Sequence, residues 1–501
     1  MPLAFAVVLA MGIQMGVLLS SQPKLGSCKN MSPIDEALAY ISAKYVDTID
    51  ISSLNEKGIE ALLQQLDPHS IYIPKPELSD VNNQIKGSFD GIGLEFFEVF
   101  DTATVVSVLD GGPSKLVGIT KGDKLVSIDD SLVAGKNYSE ERLRSKLRGE
   151  GGTKVKVGVK RRGQKEIKYF EITRGKVLVS SIVSSYMIDQ NIGYIKVERF
   201  SETVADDLHR SLEKLNSLGM KKLIFDLRGN GGGVLDIAVQ MVDEFLDEKK
   251  LVVYTKGRVY PRQDYYESKP GLFEKGEMCV LIDEESASAS EIFAGALQDY
   301  DRATIVGRRS FGKGLVQEQY MLSDSSGLRI TVARYYTPSG RCIQKSYSDG
   351  QENYYHEMLN RFTKGELTNK DSIKITDTTR YYTVSGRVVY GGGGIMPDQF
   401  VPIDTAEINF SISGLSNYRI QEAGYQFAIN YNRVFSSQDF PVAEKLLDYS
   451  IEKLSIEQKN LLEKKLEMLS AKILTDDNYY YKLINQTDMD VLKALEVLKK
   501  K

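Results

Sequence analysis

A serine at position 288 and a lysine at position 313 have the side chains needed for nucleophilic catalysis. Ser288 lies in SASASEIFAGALQDY at 286–300, and Lys313 lies in SFGKGLVQEQ at 310–319. A serine hydroxyl is a weak nucleophile until a base takes its proton. Since the three histidines of the chain all fall outside these two segments, lysine is the candidate base. The pair indicates peptide hydrolysis without histidine.

The elements around Ser288 predict how it is presented. An apolar run at 278–282 is typical of a buried strand, and apolar residues recur with helical spacing from Ile292 to Leu297. Ser288 is therefore predicted to lie at a turn from strand to helix. The backbone N–H groups of the first helical turn, led by that of Ala289, would then face a developing oxyanion.

Lys313 needs a special environment to act as a base. The amine has a reference pKa of about 10.4, so burial must disfavour its charged form for it to accept a proton at neutral pH. The flanking glycines, Gly312 and Gly314, permit close approach of the backbone. Gln317 lies four residues on, in a strand-like run, and could orient the amine without adding a charge.

These motifs resemble the C-terminal processing peptidases, also called tail-specific proteases. The resemblance covers roughly residues 31–402. It rests on SASASE, on GKG with its glutamine, on a PDZ-like segment, on DLRGNGGG at 226–233 and on GGGGIMPD at 391–398.

The resemblance implies a role for individual residues. The middle serine of SASAS, Ser288, would be the nucleophile, and the lysine of GKG, Lys313, would be the base. The glutamine four positions later, Gln317, would hold the lysine. The oxyanion hole would use the backbone of Ala289 and of Gly232 or Gly233, and the choice between these two glycines stays open.

Three other interpretations of these segments compete. Ser288 and Glu291 fit the S-x-x-E capping box, which begins helices for purely structural reasons. The stretch 307–314 is one residue from a phosphate-binding P-loop, but Gly314 replaces the Ser or Thr that binds Mg²⁺. An S-x-x-K match at 310–313 lacks the accompanying SDN and KTG motifs.

Composition limits the remaining function classes. A chain of 501 residues should form three or more domains. Its net charge of −4 argues against nucleic acid as a partner. The cysteines Cys28, Cys279 and Cys342 are far apart and lack histidines at metal-ligand spacing, so we expect no metal and no cofactor. Cys279 is predicted to be a buried thiol.

The chain begins with an apolar stretch at 1–19, within a predicted signal or anchor segment at 1–22. Its length and composition predict export, with the protein in the periplasm or cell envelope and anchored in the inner membrane. The usual positive residues are missing before Lys24, and LGSC, which ends at Cys28, loosely resembles a lipoprotein cleavage site.

A helical N-terminal subdomain is predicted at 31–84. Apolar residues at 34–46 and 54–66 show helical periodicity, and LDPHS at 66–70 is typical of a turn, with His69 as a turn residue rather than a catalyst. The family resemblance implies that such a segment contributes to homo-oligomers, a dimer or higher.

Residues 86–172 resemble a PDZ domain. GSFDGIGLEF is followed by GGP and by KGD-x-L-x-x-I-D, a specific pairing of motifs. In such a domain a peptide adds as a strand to an open sheet edge, and its terminal carboxylate meets backbone N–H groups of a glycine-containing loop. The matching loop residues are Gly91, Ile92, Gly93 and Leu94, and the expected partners are free C-termini of polypeptides.

Strands and helices alternate through the predicted core at 174–402, which indicates an α/β class with a mixed sheet. The resemblance implies a core related to the crotonase and Clp protease folds, with the PDZ domain inserted before it. In the C-terminal region at 403–501, segments 443–454 and 455–474 are predicted to be exposed amphipathic helices.

The sequence therefore leads to the hypothesis of an exported Ser/Lys endopeptidase that recognises polypeptide C-termini through a PDZ domain and cleaves nearby. The alternative is a catalytically silent PDZ adaptor that only binds chain ends. Retention of Ser288, Lys313 and Gln317 together disfavours the adaptor.

Overall fold

The computed structural model describes residues 32–500 except 99–100, 110, 137, 248, 376 and 405–414. The predictions made for 1–22 and for Cys28 lie outside the described residues. Within them, no helix combines the length and apolar character that crossing a bilayer requires.

The segment before the PDZ-like region is helical, as predicted. Ser32 and Asp50 begin its first two helices, and their side-chain oxygens accept backbone N–H groups of the first turn. The turn at 66–70 then leads into a short strand and a third helix. These elements are α1 (Pro33–Lys44), α2 (Ile51–Leu63), β1 (Ile71–Ile73) and α3 (Lys75–Lys86).

The PDZ-like region is entered and left through an antiparallel strand pair, β2 (Ser88–Gly91) with β9 (Gly175–Leu178). Between them lies a sheet of order β3-β4-β5-β7-β8, with β6 beside β5, around its own apolar core. Its elements are β3 (Leu94–Glu98), β4 (Ala103–Val108), α4 (Pro113–Leu116), β5 (Lys124–Ile128), β6 (Ser131–Leu132), α5 (Glu140–Leu147), β7 (Lys154–Lys160) and β8 (Ile167–Thr173).

The main sheet has the order β10-β11-β12-β15-β16-β21 and is parallel except for β10, which confirms the predicted mixed α/β class. Its four central strands are buried on both faces, which explains their nearly continuous apolar sequences. Three helices pack on one face. These elements are β10 (Ile182–Met187), β11 (Ile192–Val197), α6 (Val204–Ser217), β12 (Lys222–Asp226), α7 (Leu235–Val242), β15 (Glu277–Ile282), α8 (Ala289–Asp299), β16 (Thr304–Gly307) and β21 (Gln399–Phe400).

A second sheet has the order β1-β18-β13-β14, and β17 also pairs with β18. It joins the N-terminal strand β1 to the segment that follows Lys313. Its strands are β13 (Leu251–Gly257), β14 (Gln263–Tyr266), β17 (Leu315–Met321) and β18 (Gly327–Tyr336), followed by α9 (Gln351–Thr363), a 3₁₀ turn (Lys370–Ser372) and the hairpin β19 (Arg380–Tyr382) and β20 (Val388–Tyr390).

The C-terminal helices differ from the prediction of exposed amphipathic helices. The first helix, predicted at 443–454, ends at Leu447, because Asp448 has a positive φ of 47°. Leu447, Leu462 and Leu466 are buried in a shared apolar core. Apolar spacing identified the helices but not their partner, since that partner is another helix of the same region. The elements are α10 (Asn417–Tyr431), α11 (Phe440–Leu447) and α12 (Ile456–Leu474), with 3₁₀ turns at Ser437–Asp439 and Ile451–Lys453.

The last two helices, α13 (Asp477–Asn485) and α14 (Met489–Lys500), return to the main sheet. Val491, Ala494 and Leu498 of α14 pack against the sheet face opposite to α6, α7 and α8. Cys279 of β15 is fully buried in this layer, so its predicted burial is confirmed. Helix α14 therefore covers one face of the main sheet, and the candidate site lies in loops that follow strands of this sheet.

Candidate active site

Ser288 immediately precedes helix α8, after a turn at 283–287 that follows strand β15. Its backbone has φ 56° and ψ −114°, a conformation that residues with a side chain rarely adopt. Asp283 shapes the turn, because its Oδ1 accepts hydrogen bonds from the N–H groups of Glu285 and Ser286, each at 3.1 Å. Ser288 thus lies between a strand and a helix, as the apolar pattern predicts.

The two serines that flank Ser288 hold the glycine-rich loop at 227–233. The hydroxyl of Ser286 donates to the carbonyl of Leu227, and the hydroxyl of Ser290 donates to the carbonyl of Asn230, both at 2.9 Å. Both side chains are fully buried. The SASAS repeat therefore has a structural use for its outer serines and leaves the middle one at the turn.

Glu291 connects the turn of Ser288 to the loop of Lys313. Its carboxylate accepts the N–H of Ser288 at 2.8 Å, which corresponds to the predicted capping box. The same carboxylate accepts the Ser310 hydroxyl at 2.5 Å and the N–H groups of Gly312 and Lys313 at 2.7 and 2.9 Å. The capping interpretation is thus only part of its role, because three of its four donors belong to the lysine segment.

The charge state of Glu291 reflects two opposing effects. Complete burial raises the pKa of its carboxyl, and the hydrogen bonds from Ser310, Lys313, Gly312 and Ser288 favour the charged form and lower it. Burial is the larger effect, and the resulting pKa is about 7. A carboxylate with this many donors is a strong local link, since hydrogen bonds to a charged acceptor are the stronger kind.

Tyr335 of strand β18 provides a second link between the same two segments. Its hydroxyl contacts the carbonyl of Ser288 at 3.0 Å and the carbonyl of Lys313, and it donates to one of them at a time. The side chain is almost completely buried. Glu291 and Tyr335 together fix the backbone of Ser288 relative to that of Lys313.

The amine of Lys313 lies in an environment that favours its neutral form. Burial is the main cause that lowers its pKa, and the positive charge of Arg329 lowers it further, against the carboxylates of Glu291 and Asp67. Its Nζ donates to Oε1 of Gln317 at 3.1 Å. The structure thus brings Gln317 to the amine, although a bulge between Val316 and Gln317 interrupts the regular strand spacing.

The turn at 67–70 completes the surroundings of Gln317. The side-chain amide of Gln317 donates to the carbonyl of His69. Asp67 holds this turn, because its carboxylate accepts the N–H groups of His69 and Ser70 at 2.9 and 3.0 Å and the Thr331 hydroxyl at 3.0 Å. Sequence analysis placed His69 in a turn but gave no signal that this turn contacts Gln317.

The imidazole of His69 lies near Lys313 without being charged at neutral pH. Burial first, and then the nearby positive charge of Lys313, lowers its pKa to about 4. Its Nε2 is 2.8 Å from the hydroxyl of Tyr354, and its ring packs edge-on against Phe311 and Tyr354. The side chain therefore packs behind the lysine loop as a neutral group.

The two candidate oxyanion glycines are both required by close packing, but their N–H groups differ. A Cβ on Gly232 would lie 2.8 Å from the nitrogen of Ala289, and one on Gly233 would lie 2.1 Å from the carbonyl oxygen of Phe200. The N–H of Gly232 donates to Asn230 Oδ1 at 2.8 Å. Among the described residues, no acceptor takes the N–H of Gly233 or of Ala289.

A cavity of about 620 Å³ brings the candidate residues together. Helix α3, the glycine-rich loop and strands β17 and β18 form its walls. Its lining includes Gly232, Gly233, Ser288, Lys313, Gln317 and Arg329. The arrangement combines a hydroxyl, an amine whose pKa is lowered and backbone donors, which is the set of groups that acyl transfer needs.

The predicted PDZ residues lie elsewhere. Gly91 ends strand β2 opposite Gly175, and Leu94 begins strand β3. The side chains of Ile92 and Leu94 are buried in the PDZ-like core, and Gly93 has φ +72°. Of these four, none lines the cavity that the described residues form around Ser288.

Sequence analysis missed the ion-pair network beneath the glycine-rich loop. Arg228 donates to Asp226 at 2.7 Å, to Asp488 at 2.8 Å and to Asp490 at 2.9 Å, and the last two precede or begin helix α14. Burial opposes the charge of Asp226, but Arg228 and Lys196 hold the pKa of its carboxyl well below the usual range. The only sequence signal for this network was the Asp-x-Asp pair that begins at Asp488, 260 residues after Arg228.

Comparison with known proteins identifies the family. Residues 191–351 match the model of peptidase family S41, and residues 91–172 match that of a PDZ domain. The carboxy-terminal-processing protease of Bartonella bacilliformis is 34% identical over 66% of this chain and 76% of its own length. The carboxy-terminal processing protease CtpB of Bacillus subtilis is 30% identical over 69% and 72%.

A solved structure, that of a photosystem II D1 C-terminal processing protease, aligns with a TM-score of 0.39 and 24% identity over 75% of this chain and 88% of that one. The chain belongs to the carboxy-terminal processing proteases of peptidase family S41 and is a serine-type peptidase with a PDZ domain. The predicted family and enzyme class are confirmed.

Replacing Glu291 by glutamine should impair this peptidase. The amide has one acceptor oxygen and turns two N–H donors towards backbone N–H groups, so buried donors lose their acceptor. We expect kcat/KM for a peptide substrate to fall by about 10- to 100-fold, since each tenfold loss corresponds to about 1.4 kcal/mol. Peptide kinetics and thermal unfolding measure the two effects.

The matched control is Glu285→Gln, because Glu285 lies in the turn at 283–287, just before Ser288, but is exposed. It should keep the kinetics and melting temperature of the wild type. Equal kinetics of the Glu291→Gln and Glu285→Gln enzymes would contradict the linking role of Glu291.

Proposed function

We propose that this peptidase uses Ser288 as the nucleophile and Lys313 as the general base, with Gln317 orienting the amine. The observation that carries the proposal is the state of Lys313: it is partly buried, its pKa is lowered, and it lies in the same cavity as Ser288. The hydrogen bond from its Nζ to Gln317 supports the orienting role.

The reaction follows from these groups. The neutral amine of Lys313 takes the proton of the Ser288 hydroxyl while Oγ attacks the scissile carbonyl carbon. The ammonium then gives this proton to the leaving amine, and an ester joins Ser288 to the N-terminal part of the substrate. A water molecule, deprotonated by the same amine, hydrolyses the ester and restores both side chains.

The oxyanion of the tetrahedral intermediates would be stabilised by the N–H groups of Ala289 and Gly233. Gly233 is preferred over Gly232, because the N–H of Gly232 already donates to Asn230. Donors held rigidly at a helix start need no reorganisation when the charge develops. Gly232 contributes by allowing the loop to approach the backbone of Ala289.

Removal of either dyad member should abolish peptide cleavage. We expect Ser288→Ala and Lys313→Ala each to lose nearly all kcat while retaining the fold, and the double variant to be no worse, because the two groups act as a unit. Peptide kinetics with circular dichroism as a fold control measure this. Substantial turnover by a folded Lys313→Ala enzyme would exclude the lysine as the base.

The pH dependence of the reaction follows from the same assignment. Because the pKa of Lys313 is lowered, its amine loses its proton at a lower pH than an exposed lysine does. We expect kcat/KM to rise with pH through this lowered pKa and then to level off. A rate that is independent of pH, or that falls as pH rises, would contradict a neutral lysine base.

We propose that the PDZ domain selects substrates by their free C-termini. Strand β3 lies at the edge of the PDZ sheet, so its outer side can pair with an added peptide strand. The loop of Gly91, Ile92, Gly93 and Leu94 leads into this strand and would offer backbone N–H groups to the terminal carboxylate. The buried side chains of Ile92 and Leu94 keep that loop fixed to the domain core.

A second cavity, of about 480 Å³, supports a path from the PDZ domain to Ser288. Phe89 and Arg148 line it on the PDZ side, and it shares Glu198, Arg199 and Gly229 with the catalytic cavity. A chain held at the PDZ domain could therefore extend along continuous open space towards the nucleophile.

Amidation of a substrate's C-terminus should weaken its cleavage, because the terminal carboxylate is lost. We expect the loss mainly in KM, or in kcat as well if PDZ occupancy also activates the enzyme. Gly93→Val should act similarly, since its Cβ would lie 3.1 Å from Gly112 Cα. Kinetics on matched free-acid and amidated peptides measure both.

Gly111→Val is the control for backbone strain, because Gly111 has a nearly equal φ of +73° but open space around it. It should retain the preference for free-acid peptides. Equal cleavage of free-acid and amidated peptides by the wild type would show that this enzyme does not recognise chain ends through a bound carboxylate.

We further propose that the enzyme is exported, anchored in the inner membrane through residues 1–22, and homo-oligomeric. The apolar sequence at 1–19 supports export. Exposed apolar side chains in the segment that joins the first two helices, Tyr45 and Val46, support association with a second copy.

Export predicts that protease added to spheroplasts digests the catalytic domain without lysis. A cytoplasmic protein serves as the control and should stay intact until the cells are broken. Full protection of the enzyme until lysis, with recovery in the soluble fraction, would contradict both export and anchoring.

A further inference from the structure

Arg329 lines the catalytic cavity together with Ser288 and Lys313. It lies on strand β18 directly opposite Gln319 of strand β17, and its Nη2 donates to Gln319 Oε1 at 2.8 Å. Gln319 in turn donates to Asn82 Oδ1 of helix α3 at 3.1 Å, so the guanidinium is held between two walls of the cavity. A guanidinium has five N–H donors. Within the described part of the chain, an acceptor is seen for the donor on Nη2 alone.

The charge of Arg329 is not compensated by the described part of the protein. Among the side chains that the structure describes, no carboxylate forms an ion pair with its guanidinium, and burial alone accounts for its lowered pKa. The cavity is lined by one acidic side chain of the described residues, Glu198, which is exposed to solvent. A half-buried cation without a counter-ion is costly, and a carboxylate that enters the cavity removes that cost.

We propose that Arg329 is a specificity-determining residue that binds a carboxylate of the bound polypeptide close to the scissile bond. The inference rests on the proposed function of Ser288 and Lys313 and names the substrate class of the same site. A planar guanidinium matches a carboxylate through two parallel hydrogen bonds. The carboxylate comes from an Asp or Glu side chain or from the chain end itself, and these two sources share this chemistry.

The position of Arg329 limits where the carboxylate lies. Gln319, which faces Arg329, is two residues beyond Gln317, the partner of Lys313. Two strand residues span roughly 7 Å, so an extended substrate covers the distance with about two or three residues. The recognised carboxylate therefore belongs within about three residues of the bond that Ser288 attacks.

The test uses polyalanine-based peptides of twelve residues that carry one Glu at successive positions, with a matching series that carries Gln. Each series is made with an amidated and with a free-acid C-terminus, so that a side-chain carboxylate and a chain-end carboxylate are separated. We expect the best Glu peptide to exceed its Gln partner about tenfold in kcat/KM, mainly through KM. If only the free-acid ending confers the gain, the bound carboxylate is the chain end.

Arg329→Gln should reduce this ratio to about one while still cleaving the Gln peptides. Arg329→Glu should prefer a Lys peptide over the Glu peptide, which a merely destabilised enzyme would not do. The control is Arg334→Gln, because Arg334 lies on the same strand outside the cavity, and it should keep the wild-type ratio. Equal rates for all carboxylate and neutral pairs, or a preference that survives Arg329→Gln, would overturn the proposal.

Binding separates this proposal from the proposed function. Binding of the same peptides is measured by fluorescence anisotropy, which needs no cleavage. The two proteins compared are the Ser288→Ala variant and the double variant with Ser288→Ala and Arg329→Gln. A binding preference for carboxylate peptides that Arg329→Gln removes supports the subsite, whether or not the wild type cleaves the peptides. If the wild type cleaves none of them, only the Ser288/Lys313 dyad is refuted. Absence of any such preference overturns the subsite even if the wild type cleaves them.

Discussion

The buried carboxylate of Glu291 is the interaction on which the candidate site depends. It receives N–H groups from both the turn of Ser288 and the loop of Lys313, two segments that come from different sheets. A buried carboxylate without its donors would be costly, so these segments are stable only when they lie side by side. The same contacts fix the backbone of Ser288 relative to that of Lys313, and the Tyr335 hydroxyl reinforces them from strand β18.

The hydrogen bonds around Lys313 continue from the candidate site to the N-terminal part of the described chain. The oxygen of the Gln317 side chain accepts from the amine, and its amide nitrogen donates to the carbonyl of His69, in a turn that Asp67 closes. The glycine-rich loop at 227–233 is connected to the C-terminal part of the described chain, since Arg228 is held by Asp488 and Asp490. Both terminal regions thus contribute to a site whose chemical groups all lie between 232 and 317.

The sequence predicts what depends on local pattern and misses what depends on distant contacts. Strand β15, helix α8 and the position of Ser288 between them follow from hydrophobic spacing, and the family motifs lead to Lys313 and Gln317. No local pattern could indicate that Asn230 occupies the N–H of Gly232, because that bond depends on the three-dimensional path of the loop. The burial of Leu447 was equally unpredictable, since its neighbours belong to separate helices.

The connection of the PDZ domain to the rest of the chain has a consequence for modularity. The domain enters through β2 and leaves through β9, which pair from Ser88 with Leu178 to Gly91 with Gly175. Paired strands lie about 4.8 Å apart, so the two ends of the insertion are nearly adjacent. Among the described residues, no strand of the PDZ sheet pairs with a strand of the main sheet. Recognition and hydrolysis can therefore diverge separately, because exchanging one module changes no strand pairing in the other.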